Sequence, residues 1–104
     1  MKRYRFTNPW TGETETVYIE ITEYRNPKGR VALQMYDNEG PYATLSVNLP
    51  KEKCDDGEFF VDVNNCPWAP EFLEKKKIAK PTFDMAFSGF CCYPKYKLRK
   101  EMMK

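Results

Sequence analysis

Hydrophobic and polar residues alternate along much of the first two thirds of this chain. Val17, Ile19 and Ile21 occupy every second position of one such segment. Because successive side chains of a strand point to opposite faces, this spacing predicts strands with one buried face. The same pattern recurs further along, which gives this set of residues predicted to face inward: Val31, Leu33, Met35, Ala43, Leu45, Val47, Leu49, Phe59, Val61 and Val63. Thr44, Ser46 and Asn48 are predicted to face outward.

Short turns connect the first of these strands. Residues 25–29 and 37–41 are rich in Asn, Asp, Gly and Pro, and these residue types favour turn conformations. Strands that follow one another through short connections usually pair as neighbours. The pattern therefore predicts an antiparallel β-meander.

A short helix is predicted after these strands, near residues 69–77. Pro70 suits a first helical turn, and acidic residues come before basic ones along the segment, as the helix dipole favours. Trp68, Phe72 and Leu73 are expected to pack the helix against the sheet.

The last third of the chain predicts two more extended segments. Residues 82–87 are expected to form a strand with Phe83, Met85 and Phe87 facing inward. Residues 90–99 are aromatic and basic, and we expect an edge strand or an extended tail there.

Together these elements predict an α+β fold, an antiparallel β-meander sheet of four to six strands with one short helix packed on one face. The chain has 104 residues, of which 41% are hydrophobic, and this is enough for the core of one domain. We predict a single domain over residues 1–104, with residues 100–104 as a tail that frays.

The run Asn64-Asn65-Cys66-Pro67-Trp68 is the most unusual local sequence. We expect a structural role, in which the asparagines form Asx turns or cap the helix, Cys66 is buried and Trp68 anchors the helix. The alternative is a thiol enzyme, because a cysteine near a helix N-terminus can have a lowered pKa and act as a nucleophile. The chain has no histidine to serve as the base, and this makes the alternative weaker.

The absence of histidine also excludes Ser-His-Asp and Cys-His catalysis. The four cysteines, Cys54, Cys66, Cys91 and Cys92, form no CxxC pair, so we expect no metal and no other cofactor. No apolar run is long enough to span a membrane, and the N-terminus has no signal-peptide core. We therefore expect a cytoplasmic protein with free thiols.

The net charge is only +2, but acidic and basic residues are distributed very unevenly along the chain. Residues 31–74 carry two basic and nine acidic groups, and residues 75–104 carry nine basic and two acidic groups. Basic residues alternate with aromatic ones near both ends, at 2–6 and 93–100. This combination is typical of single-stranded nucleic-acid binding, although charge on an edge strand also prevents aggregation.

Several strings of this sequence resemble a known family. They are Gly40-Pro41-Tyr42-Ala43-Thr44-Leu45-Ser46-Val47-Asn48-Leu49-Pro50, the run from Asn64 to Trp68, and Ser88-Gly89-Phe90-Cys91-Cys92-Tyr93-Pro94. Between Tyr18 and Tyr96 the chain resembles domain of unknown function 4313. The resemblance implies a compact α+β protein of bacteria, phages or mobile elements, and it implies no particular activity. Small proteins of such elements often bind and inhibit a component of host defence.

We therefore predict a non-enzymatic binding protein, an accessory or counter-defence factor that inhibits a host protein. Because Tyr and Arg contribute strongly to interfaces, the predicted partner-binding residues are Tyr36, Tyr42, Tyr93, Lys95, Tyr96, Lys97 and Arg99. The alternatives are a single-stranded nucleic-acid-binding protein, a sponge for a small nucleotide signal and, as the weakest, a Cys66 thiol enzyme.

Overall fold

The structure, a computed structural model, describes residues 2–25 and 28–103. Within these residues the chain forms eight strands, one α-helix and one 3-10 turn. Their bounds are β1 Lys2–Thr7, β2 Thr14–Arg25, β3 Lys28–Asp37, β4 Gly40–Thr44, β5 Ser46–Val47, β6 Glu58–Val61, α1 Ala69–Lys75, β7 Ala79–Ser88, β8 Cys91–Leu98 and the 3-10 turn Lys100–Met102. The α+β class is confirmed. Asn26 and Pro27 of the predicted first turn lie outside the described residues.

The described strands divide between two antiparallel sheets. The first sheet has the order β1-β2-β3-β4. Its strands β2, β3 and β4 follow the predicted meander, whereas β1 was not predicted and the strand predicted after residue 57 lies in the second sheet. The second has the order β5-β6-β8-β7. In the second sheet β8 lies between β6 and β7, so the last strand of the chain is central. The expectation of an edge strand at residues 90–99 is wrong.

The chain passes from the first sheet to the second at Leu45. Its N–H donates to the Leu33 carbonyl at 2.9 Å, and its carbonyl accepts from the Asp62 N–H at 2.9 Å. Leu45 thereby joins β3 of the first sheet to the residue that follows β6 of the second. The alternating segment from 42 to 49 is therefore two short strands.

The burial of the Ser46 side chain is the clearest consequence of this crossing between sheets. It was predicted to face outward, but its side chain is only 3% exposed, so the prediction is wrong. Its Oγ accepts from the Leu33 N–H at 3.0 Å and shares a 2.8 Å hydrogen bond with the Tyr24 hydroxyl. A strand that changes sheets presents its residues to two different surroundings, and simple alternation no longer describes it.

The main core lies between the two sheets. The first sheet contributes the alternate residues predicted from the sequence, with Val17, Leu33 and Met35 fully buried. The second sheet contributes Phe59, Val61, Ala79, Tyr96 and Leu98. A smaller cluster of Phe60, Ala86 and Tyr93 is packed by Val47, Leu49, Cys54 and Cys91. Residues of the loop after β5 therefore help to cover this smaller cluster.

Helix α1 packs on the core as predicted, although it ends two residues earlier. Phe72 and Leu73 are buried. Trp68 is partly buried, and its ring centroid lies 4.6 Å from that of Phe6 in β1. These contacts confirm that Trp68 and Phe72 anchor the helix.

The turn before α1 is held by Asp62. Its carboxylate accepts from the Asn65 N–H at 3.3 Å and from Asn65 Nδ2 at 2.9 Å, while its carbonyl accepts from the Cys66 N–H at 2.8 Å. Asn64 and Pro67 are exposed. The N-cap residue is Trp68, and it makes no side-chain cap bond. Of the two roles predicted for the asparagines, Asx turns or a helix cap, the cap is therefore wrong, and the turn uses the Asn65 amide to bind Asp62.

Residues near the C-terminus pack against the rest of the protein. Met102, in the 3-10 turn, packs against the main core. Across the described ranges, no helix combines the length and apolarity that crossing a membrane requires.

Candidate interaction surfaces

The residues predicted to bind a partner lie in different parts of the structure. Tyr36 and Tyr42 lie in the first sheet and are half-buried. The Tyr36 hydroxyl donates to Glu20 Oε1 at 3.1 Å, and the Tyr42 hydroxyl accepts from Asn8 Nδ2 at 3.0 Å. Both hydroxyls therefore have partners within the fold.

Tyr93 and Tyr96 were predicted to be exposed, and this prediction is wrong. They lie on the central strand β8, where each faces one of the two hydrophobic clusters. Tyr96 is 4% exposed, and its hydroxyl donates to Glu74 Oε2 at 2.6 Å. Burial first, and then this bond, raise the pKa of Tyr96. Neither ring lies on the surface as a contact residue.

The three basic residues of the predicted set differ in their surroundings. Lys95 Nζ lies 3.8 Å from Glu58 Oε1 and 5.7 Å from the centre of the Phe60 ring. These contacts give Lys95 a structural role. Lys97 and Arg99 are half-buried at the base of the β7–β8 hairpin.

The far end of the β7–β8 hairpin carries four exposed apolar side chains. Phe83 is 88% exposed, Met85 56% and Phe87 73%, and Phe90 in the connecting turn is fully exposed. The prediction that Phe83, Met85 and Phe87 face inward is therefore wrong. We call these four residues the apolar hairpin surface.

The pairing of β7 with β8 explains this exposure. Ala86 lies opposite Tyr93 and is buried with it in the smaller cluster. Met85 and Phe87 occupy the other face of the strand, because neighbouring side chains alternate. Met85 Sδ lies 3.7 Å from Cys92 Sγ on that face.

A bulge in β7 determines the position of Phe83. Pro81 pairs with Tyr96 and Met85 pairs with Pro94, so the three residues 82–84 of β7 lie opposite the single residue Lys95 of β8. Thr82 Oγ1 holds the bulge by donating to the Lys95 carbonyl at 3.0 Å. Phe83 has a φ of 71°, which is a strained backbone for a bulky residue. Strain of this kind is concentrated at functional sites.

β7 is also an edge strand with an unprotected half. Exposed edges are normally protected by charge, by proline, by bulges or by short length. Among the described strands, the other edges fit this rule: β1 carries Lys2, Arg3 and Arg5, β4 carries Pro41, and β5 has two residues. In β7, Pro81 and the bulge protect the first half. The second half, Met85–Ser88, has neither charge nor proline.

A groove with several cations lies at the base of the same hairpin. Its volume is about 320 Å³, and it is lined by Lys80, Lys97, Arg99, Lys100 and Glu101 together with Leu98 and Met103. We call it the cationic groove. Lys80 and Lys97 are directly opposite each other on β7 and β8. Arg99 Nε lies 3.5 Å from Glu101 Oε2.

The two basic ends of the chain meet near this groove. Lys2 Nζ lies 3.9 Å from Met102 Sδ. A hydrogen bond from its own backbone amide lowers the pKa of Glu101, and Arg99 and Lys2 lower it further. Sequence reasoning missed Lys80, because it is remote from both basic ends and only the strand register shows its position.

The surroundings of Cys66 oppose a nucleophilic role. Cys66 is buried, and its thiol donates to the Thr44 carbonyl at 3.7 Å. Burial, followed by the charge of Asp62, raises the pKa of the thiol, and this favours the unreactive protonated form. All four cysteines are free thiols in the structure.

Comparison with known proteins gives one match. A family model described as Domain of unknown function (DUF4313) matches residues 18–104. No curated protein and no solved structure matches the chain.

Proposed function

We propose that this chain, which belongs to the DUF4313 family, is a non-enzymatic protein that binds a partner protein through its apolar hairpin surface. The observation that carries the proposal is the exposure of Phe83, Met85, Phe87 and Phe90 beside an unprotected edge strand. Apolar patches of this kind mark interaction sites on soluble proteins.

The size of the surface supports this proposal. A large apolar side chain offers about 200 Å², so the four exposed residues present on the order of 600 Å². The largest patch on a typical monomer is about 300–600 Å². A standard interface buries about 800 Å² on each partner. Burial of these four side chains by one partner would supply the apolar centre of an interface of ordinary size.

The edge of β7 defines how the partner would bind. Among the described strands, Met85–Ser88 has β8 as a partner on one side and no strand on the other. An extended segment of a partner would add to this edge through backbone hydrogen bonds, and its apolar side chains would pack on Met85 and Phe87. We propose a different protein with such a segment as the partner. Phe83, with its positive φ, lies just before this edge in the chain.

The family resemblance is the basis for a proposal about the biological role of the chain. We propose that the chain acts in the cytoplasm as an accessory or counter-defence factor of a phage or mobile element. The partner would then be a host protein that the chain inhibits. The buried Cys66, with its raised pKa, supports a role without thiol catalysis.

The test compares two variants in capture from a host extract. Phe83→Ser/Phe87→Ser removes two rings from the surface, and Trp10→Ser removes an exposed ring from the β1–β2 loop. A protein retained by the wild type and Trp10→Ser, but lost with the double variant, is the expected result. Equal retention by both variants would overturn the proposed surface.

Sedimentation of the pure chain completes the test. A monomer is expected, because the proposed partner is a different protein. If the wild type is a dimer and Phe83→Ser/Phe87→Ser is a monomer, the surface belongs to a second copy of the chain and the proposal of a different partner is wrong.

A further inference from the structure

The cationic groove holds an arrangement that the fold itself does not require. Lys80 and Lys97 are directly opposite on neighbouring antiparallel strands, and like charges in such pairs destabilise a sheet. Arg99 and Lys100 follow from the end of β8. Among the residues that the structure describes, four cations thus line one groove together with one acidic side chain, Glu101.

The acidic groups near the groove are already engaged. Glu101 pairs with Arg99. Glu58 lies opposite Lys97 on β6, but its Oε1 accepts from the Asp55 N–H at 2.8 Å and lies 3.8 Å from Lys95 Nζ. Within the ranges that the structure describes, Lys80, Lys97 and Lys100 form no ion pair. The groove therefore has an excess of positive charge.

We propose that the cationic groove binds the phosphates of a nucleic-acid backbone without regard to base sequence. Lys and Arg side chains are the usual donors to backbone phosphates. The apolar members of the described lining are Leu98 and Met103, and none of the described lining residues has an aromatic ring, so these residues offer bases no stacking platform. Single and double strands should consequently bind through the same contacts. This inference uses none of the residues of the apolar hairpin surface and does not depend on the proposed function.

The position of Lys2 strengthens the inference. Lys2 lies close enough to the groove to lower the pKa of Glu101 together with Arg99. The first and last strands of the described chain thus bring positive charge to one place. A polyanion that follows the groove would meet Lys80, Lys97, Arg99 and Lys100, with Lys2 nearby.

The experiment measures binding of labelled single- and double-stranded oligonucleotides by fluorescence anisotropy over a range of salt concentrations. We compare Lys80→Gln/Lys97→Gln with Lys51→Gln/Lys53→Gln, which removes the same charge from the loop between β5 and β6. The groove variant should bind about tenfold more weakly at moderate salt, with a shallower salt slope, because each lost phosphate contact reduces that slope by about 0.7 to 0.9. The loop variant should keep the wild-type affinity within about twofold, since it loses no phosphate contact.

Several outcomes would overturn the proposal. Equal weakening by the two variants would show that net charge alone is responsible. Absence of binding at low salt would also reject it. Tighter binding of polyglutamate than of the oligonucleotides would assign the groove to an acidic protein. Lys80→Arg/Lys97→Arg should retain binding, which separates lost charge from a folding defect.

Discussion

The hydroxyl of Tyr96 donates a 2.6 Å hydrogen bond to Glu74 Oε2 and ties the central strand of the second sheet to helix α1. Tyr96 is buried in the main core, whereas Glu74 is exposed on the helix. Tyr96, which the sequence analysis proposed as a partner-binding residue, therefore joins β8 to α1.

Replacing Tyr96 with phenylalanine should lower the free energy of unfolding by about 1 to 2 kcal/mol, because a hydrogen bond to a charged group is lost. Urea denaturation at neutral pH measures the change. Tyr18→Phe is the matched control, since Tyr18 is half-buried and its hydroxyl has no bond within the described part of the chain. The control should change stability by less than about 0.5 kcal/mol. Equal effects of the two substitutions would contradict the role of the Glu74 bond.

The stability of the protein should fall in alkali. The pKa of Tyr96 is raised, first by burial and then by Glu74, so the folded state keeps this proton more tightly than the unfolded state. The unfolded tyrosine loses its proton near its ordinary pKa of about 10. The stabilising contribution is complete below that pH and is lost as the pH rises above it. Urea unfolding over an alkaline pH series should show this decline, and Tyr96→Phe should make it shallower.

Ser46 should be more important for stability than its small size suggests. Replacing Ser46 with alanine leaves the buried Leu33 N–H and the Tyr24 hydroxyl without their partner. We expect the free energy of unfolding to fall by about 1 to 3 kcal/mol. Thr44→Ala is the comparison, since Thr44 is exposed and its side-chain hydroxyl, among the described residues, donates only to Gln34 Oε1. If both substitutions cost the same in thermal denaturation, the proposed importance of the sheet crossing would be refuted.

Alternation was sufficient to predict β2 and β3 of the first sheet, because each of these strands has one face on the core. Val17, Leu33 and Met35 illustrate this. It failed where the surroundings of a strand change along its length. Ser46 sits where the chain changes sheets. In β7 the covered face is the one that carries Ala86, so Phe87, on the opposite face, is exposed. Alternation shows that residues share a face, and only the tertiary structure shows whether that face is covered.

The candidate sites were predicted only in part for a similar reason. Lys97 and Arg99 belong to a basic segment that the sequence displays directly. Lys80 joins them through the pairing of β7 with β8, which the sequence pattern did not specify. Tyr93 was predicted as a contact residue because tyrosine contributes strongly to interfaces, and the insertion of β8 between β6 and β7 buries it.

Cys66 should react slowly with iodoacetamide in the folded protein. Burial restricts access to the thiol, and its raised pKa keeps it protonated. Cys92 is half-exposed and serves as the internal reference, so mass spectrometry of the labelled peptides should find it modified first. Both should react at similar rates in urea. Fast labelling of Cys66 at neutral pH in the native protein would revive the thiol-enzyme alternative.

Phe83→Gly should stabilise the protein while weakening the proposed partner binding. Phe83 is 88% exposed, so little buried area is lost, and its φ of 71° is one that glycine adopts without strain. We expect the free energy released by removing that strain to exceed the entropic cost that glycine adds by making the unfolded chain more flexible. The free energy of unfolding should therefore rise by up to about 1 kcal/mol, which thermal denaturation measures. Phe87→Gly, in the regular half of β7, should instead cost about 0.5 to 1 kcal/mol, since glycine weakens a strand. A loss of stability from Phe83→Gly equal to that from Phe87→Gly would show that the ring supports the fold. The opposite signs that we expect would mean that a strained backbone is retained to present Phe83 to a partner.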